Sequence, residues 1–268
     1  HGLDWHRGVL DAAALDSHRE MRSAAGVLLT RRPFTWSREE PGSGFSAFAD
    51  AWLGRDPDTD ERVAQPVVHT IPPERLHEIT AMPRHYGFHA TLKAPFVPVP
   101  GLEADALLGD IEAFAARHHP IEVRLKVAVL GDFLALVPVT DVPALDRLAA
   151  GCVRDFDRFR APLSPEDQAR RNPEHLSAAE QANLERWGYP YVLDQFRFHM
   201  TLTGPLDEPE RGRVQAILEH ALAAQLVQPL RIDQLALLCH DGRSLVGGKI
   251  VEIVEQHLLA GGCPDRCA

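Results

Sequence analysis

A ten-residue segment occurs twice in this chain, 110 residues apart, and it restricts the fold more than any other feature. Gly87-Phe88-His89-Ala90-Thr91-Leu92-Lys93-Ala94-Pro95-Phe96 aligns with Arg197-Phe198-His199-Met200-Thr201-Leu202-Thr203-Gly204-Pro205-Leu206, with five of ten positions identical. The flanking patterns repeat as well. Tyr86–Phe96 reads as a strand. Leu102–His118 reads as a helix with Leu107, Ile111 and Phe114 on one face. Ile121–Leu130 alternates at period two, Gly131-Asp132 marks a turn, and Phe133–Val139 reads as another strand. The second copy runs through a strand at Phe196–Leu206, a helix at Glu208–Leu226, a strand at Leu230–Cys239, a turn at Asp241-Gly242 and a strand at Ser244–Val254. A matched segment inside a matched order of elements implies two related lobes facing each other across a cleft. The units cover about 86–139 and 196–254, with a helical insertion over about 142–190. The period is too long for a solenoid of stacked short repeats.

Upstream, the pattern predicts a helix over residues 7–22, a strand at Ala24–Thr30 and a helix at Phe45–Leu53. Residues 1–43 form an N-terminal extension to a single bilobal domain over 44–268. The chain has 268 residues, 45% of them hydrophobic and 25% charged, which fits a folded protein able to bury a core without disulfides. Its net charge of −10 disfavours binding of long nucleic acid, which depends on clustered cations. No apolar run reaches the roughly 20 residues of a membrane span. Acidic residues (Asp4, Asp11, Asp16, Glu20) interrupt any signal-peptide pattern, so a cytoplasmic protein is expected. The tail pair Cys263 and Cys267 lacks the second pair of a zinc site.

Alternate side chains on a strand share a face. His89 and Thr91 therefore point one way, with Phe88, Ala90 and Leu92 packed behind them. His199 and Thr201 do the same in front of Phe198, Met200 and Leu202. A two-fold between the lobes brings two imidazoles and two hydroxyls into one cleft. A neutral imidazole takes a proton from an attacking oxygen, and a charged one gives a proton to a leaving oxygen. The threonine hydroxyls donate to phosphate oxygens. This is phosphoester chemistry without a metal or other cofactor. The same parity places Lys93 on the His89 face, and Arg197 and Thr203 on the His199 face, as substrate-binding groups. Tyr86 lies near the start of the first strand, where it can stack on a base or sugar. One His-x-Thr triplet alone is better explained as a core or surface feature; its duplication argues for chemistry.

These residues resemble the two-histidine phosphoesterase superfamily, whose mark is one His-x-Thr-hydrophobic motif per lobe. The strings Pro83–Phe96, Phe156–Leu163, Trp187–Val192 and Phe196–Gly204 are similar to a bacterial phosphonate-metabolism branch of it. The resemblance implies an α+β fold, pseudo-symmetric and bilobal, with an antiparallel sheet in each lobe and helices outside. It implies hydrolysis of a phosphodiester, most simply a small cyclic phosphate such as a nucleotide or ribosyl cyclic phosphate. The alternatives are a non-catalytic module that binds a nucleotide or RNA end, and an RNA 2′,3′-cyclic phosphodiesterase or ligase-like enzyme.

Overall fold

The computed structural model describes residues 24–30, 44–56, 61–85, 87–102, 104–240 and 252–258. The helix expected over residues 7–22, Tyr86, the Asp241-Gly242 turn and the cysteine tail lie outside the described residues.

The chain enters with strand β1 (Ala24–Thr30) and helix α1 (Phe45–Leu53), both at their expected bounds. Phe45, Ala49 and Trp52 recur at helical spacing and are buried. Gly54 ends α1 with a left-handed φ of 79°, and a Cβ there would meet Gln65 at 2.9 Å. Pro73 opens α2 (Pro73–Ile79), and α3 (Ala81–Arg84) follows. Next come β2 (His89–Phe96), α4 (Ala104–Ala115), β3 (Ile121–Val123) and β4 (Leu125–Leu130). Gly131, at φ 60°, turns β4 into β5 (Phe133–Pro138) across a two-residue loop.

The insertion contains α5 (Pro143–Asp155), α6 (Pro165–Ala169) and α7 (Ala178–Trp187). Ser177 and Glu180 start α7 with a reciprocal capping box. The second unit supplies β6 (Met200–Thr201), α8 (Glu210–Leu222), β7 (Leu230–Ile232), β8 (Gln234–His240) and β9 (Glu252–Leu258). β6 is far shorter than the strand expected over Phe196–Leu206. It ends because the amides of Leu202 and Thr203 both turn onto the carbonyl of Leu134, at 2.9 and 3.2 Å, which closes the ladder.

The architecture is mixed α+β, and every strand pair is antiparallel. The sheet orders are β2-β1-β8-β9, β4-β5-β6 and β3-β7. The two larger sheets draw strands from both sequence units. β6 of the second unit lies on β5 of the first, and β8 of the second reaches β2 of the first through β1. The β3–β7 pair joins corresponding strands of the two units. Ile121 pairs with Ile232, the counterpart of Glu122, and Glu122 pairs with Arg231, the counterpart of Ile121. This reciprocal register is what a local two-fold produces. The core gathers Leu92, Phe114, Leu134, Leu202 and Leu218 from both units, with Trp52 of α1 and Leu148 of α5.

One irregularity changes the expected site. β1 faces β2 with Leu29 opposite Ala90 and Leu28 opposite Thr91, but Val27 opposite Lys93. Leu92 is the extra residue of a bulge. Because faces alternate along β1, Lys93 falls on the face of Ala90 and not on that of His89 and Thr91. It points towards α5, 3% exposed, and its Nζ donates to the carbonyl of Val153 at 3.3 Å and to Asp157 Oδ1 at 3.4 Å. Burial pulls the Lys93 pKa down, opposed by the charge of Asp157. Asp157 also accepts from Arg160 Nε at 2.9 Å. Removing the carboxylate strands a buried cation, so Asp157→Ala should cost about 3–5 kcal/mol in urea unfolding. Combining it with Lys93→Met should recover much of that loss. Equal stability of the single and double variants would show that Lys93 is not held by this pair.

Candidate active site

The expected parity holds at both His-x-Thr triplets. Behind the first, Phe88, Ala90 and Leu92 are 5%, 1% and 2% exposed; behind the second, Phe198, Met200 and Leu202 are 7%, 2% and 1% exposed. His89, Thr91, His199 and Thr201 are half-buried on the opposite faces. β2 packs beside β6, so the two triplets are neighbours. They are close enough that, after burial, a charge on His199 would further lower the His89 pKa.

The two rings are held in the same way. His89 Nδ1 lies 2.9 Å from the carbonyl oxygen of Gly87, and His199 Nδ1 lies 2.8 Å from that of Arg197. Each carbonyl belongs to the residue two positions upstream. A carbonyl only accepts, so Nδ1 carries the hydrogen and Nε2 is the basic nitrogen of the neutral ring. Gly87 reaches this position with φ 72°. Phe133 meets the His199 ring edge-on at a centroid distance of 6.1 Å.

Burial, more than any other cause, lowers both imidazole pKa values, to about 4 for His89. The carbonyl bonds to Nδ1 work against this shift. Burial therefore favours the neutral form of both rings. A charged ring at this site has to form against that desolvation.

The remaining candidates separate by position. Arg197 is exposed and lends its carbonyl to His199. Thr203 is fully buried, and its Oγ1 accepts the Leu134 amide at 3.0 Å, so its hydroxyl supports the sheet and not the histidine face. Lys93 and Thr203 occupy equivalent positions of the two units, and both leave the histidine face directly after the leucine. Among the described residues, no three His, Cys, Asp or Glu side chains come together as a metal-ligand group. No helix among them is long and apolar enough to cross a membrane.

Two groups that hold the motifs lie outside any sequence pattern. Trp52 Nε1 donates to the carbonyl of Leu202 at 2.9 Å, and Arg55 donates to the carbonyls of Arg84 and His85. Neither carries a sequence signal, because both reach backbone atoms distant in the chain.

Residues 91–245 match the family described as "Protein of unknown function (DUF1045)", more than half of the chain. The chain belongs to this family. The match includes Thr91, His199 and Thr201. A relative from Janthinobacterium sp. (strain Marseille), named ribose 1,5-bisphosphate phosphokinase PhnN, is 40% identical over 200 residues, covering 73% of this chain and 44% of the relative. A relative of the same name from Laribacter hongkongensis (strain HLHK9) is 35% identical over 168 residues, covering 63% and 38%. The DUF1045 chain thus spans less than half the length of these curated relatives.

The depressed histidines set a pH dependence of stability. An unfolded imidazole binds its proton near about pH 6.5, and folded His89 does so only near about 4. Between those values the unfolded state holds more protons, so stability falls as pH drops through this window and is complete above it. Urea unfolding from pH 4 to 7 should show this slope, and His89→Gln should reduce it. An unchanged slope in His89→Gln would contradict the burial of the ring.

Proposed function

We propose that this chain is a metal-independent phosphodiesterase that opens a small cyclic phosphate by acid–base catalysis through His89 and His199. The observation that carries this reading is the duplicated ring geometry. Two imidazoles on neighbouring strands are each tied back by Nδ1, which leaves Nε2 as the proton-transferring atom. One Nε2 removes a proton from the attacking water, and the other protonates the departing oxygen. The hydroxyls of Thr91 and Thr201 donate to the non-bridging oxygens as their charge rises. A two-histidine phosphoesterase arrangement of two pseudo-symmetric lobes is the fold that best accounts for the reciprocal β3–β7 register. The exposed Arg197 offers a cation to the substrate.

The names of the relatives suggest the substrate. Hydrolysis of a ribosyl 1,2-cyclic phosphate bearing a 5-phosphate breaks the bond from phosphorus to O2. Water supplies the hydroxyl on phosphorus and the proton on O2, and the product is ribose 1,5-bisphosphate. That compound is the one named as the substrate of the relatives' kinase. The DUF1045 portion would then supply it, within phosphonate breakdown. The Gly248-Lys249 pair is followed by Ile250, and no G-x-x-x-x-G-K-[ST] loop occurs in this sequence, so kinase chemistry of the P-loop type is not assigned to it.

The test is hydrolysis of a panel containing ribosyl 1,2-cyclic phosphate 5-phosphate and 2′,3′-cyclic mononucleotides. His89→Ala and His199→Ala should each lose at least about 10²-fold in kcat. Thr91→Val and Thr201→Val should lower kcat while the fold is retained. The active form has one ring protonated and one neutral. Since both pKa values are depressed in the free protein, kcat/KM should be bell-shaped with its maximum below about pH 6.5. A bound phosphate anion favours the imidazolium, so the kcat profile should lie at higher pH. EDTA should leave the rate unchanged. Near wild-type turnover by either histidine variant would end the acid–base assignment and favour a binding module. A requirement for a divalent ion would end the metal-independent one.

A further inference from the structure

We infer that the C-terminal end of α1 positions both histidine motifs, through Trp52 in its last turn for the second and Arg55, just past its Gly54 cap, for the first. Its consequence for turnover rests on the acid–base reading above; the geometry itself does not.

Trp52 is 1% exposed, and its Nε1 reaches across the core to the carbonyl of Leu202, at 2.9 Å. Leu202 follows Thr201 directly, where the β6 ladder closes. Three residues on, Arg55 donates from one guanidinium nitrogen to the carbonyl of Arg84, at 3.1 Å, and to that of His85. The carbonyl of Arg84 also accepts the amide of Gly87 at 3.2 Å. Gly87 in turn offers its own carbonyl to His89 Nδ1. The Arg84 carbonyl and the backbone of Gly87 therefore link the Arg55 guanidinium to the His89 ring.

The end of α1 is itself fixed from the same turn. Its carbonyls at Trp52 and Leu53 have no intrahelical donor to meet. Gln65 Nε2 donates to the Trp52 carbonyl at 2.8 Å and to Thr80 Oγ1 at 3.0 Å. Arg84 Nε donates to the Leu53 carbonyl at 2.7 Å. The α1 terminus and the turn before His89 thus hold each other, while Trp52 holds the strand of His199. Trp52 and Arg55 are positioning residues: each acts through backbone carbonyls, and together they span the two motifs.

The experiment reads ring tautomers by 1H–15N NMR of the histidines in the full chain, with Arg55→Gln, Arg55→Lys and Trp52→Phe. The wild type should show the Nδ1–H tautomer at both rings. Arg55→Gln should move His89 towards the Nε2–H tautomer and leave His199 in place, and Arg55→Lys should restore His89 in part. Trp52→Phe keeps the ring bulk and removes the donor, so it should shift the His199 ring signals first. Arg75→Gln, which breaks the Arg75–Glu210 pair away from the motifs, serves as the control; it should lower stability without moving either tautomer. On whichever cyclic phosphate is turned over, Arg55→Gln should lower kcat by roughly 10- to 100-fold with KM nearly constant. An unchanged His89 tautomer in folded Arg55→Gln, or an equal shift in Arg75→Gln, overturns the inference. Loss of the wild-type reading on the whole panel would instead overturn the phosphodiesterase proposal, and the tautomers would still decide this one.

Discussion

Each imidazole is tied by Nδ1 to the carbonyl two residues upstream on its own chain, and the rest of the site depends on that bond. Such a ring cannot swing independently of its strand. The relation between the two Nε2 atoms is therefore set by how the strands are held. Three contacts do this: the β5–β6 ladder, the β1–β2 ladder and the Trp52 bond to the Leu202 carbonyl. The same burial that orders the rings lowers their pKa values, so order and protonation state have one cause.

The units are alike without being identical. In one sheet β6 sits on β5 and β5 on β4; in the other β2 sits on β1 and β1 on β8. β1 therefore stands where a symmetric counterpart of β5 would stand, and β9 is displaced to the edge. The segment Ala24–Thr30, read from sequence as a strand of the extension, is part of the sheet that holds His89. The triplets differ as well. Two residues before His89 stands a glycine with a left-handed φ, whereas two residues before His199 stands an exposed arginine that accepts the same ring bond. The unequal neighbours give the two rings unequal surroundings.

Much of this was legible in the sequence. The repeat marked β2 and β6 as related, and the periodicities placed α1, α4, α5, α8 and the β4–β5 hairpin. Alternation gave the correct face for His89, Thr91, His199 and Thr201, because burial of every second residue is a local consequence of the pleat. Alternation failed one step later in both units. At Lys93 it failed because a bulge at Leu92 inserts a residue, and bulges are fixed by the partner strand's register. At Thr203 it failed because the chain leaves the ladder to meet Leu134. The lowering of both imidazole pKa values was not legible either, since the desolvation of a ring depends on elements that pack over it. Trp52 and Arg55 act on backbone carbonyls far along the chain, and no motif records such contacts.

The central claim is that both Nε2 atoms address one phosphate. A crystal structure of the chain grown with inorganic phosphate or orthovanadate tests it most directly. The account predicts one tetrahedral or bipyramidal anion between the rings, with oxygens about 3 Å from each Nε2 and from the hydroxyls of Thr91 and Thr201. Imidazoles more than about 12 Å apart could not share one such anion with ordinary hydrogen bonds. That separation, or an anion bound only away from both histidines, would contradict it.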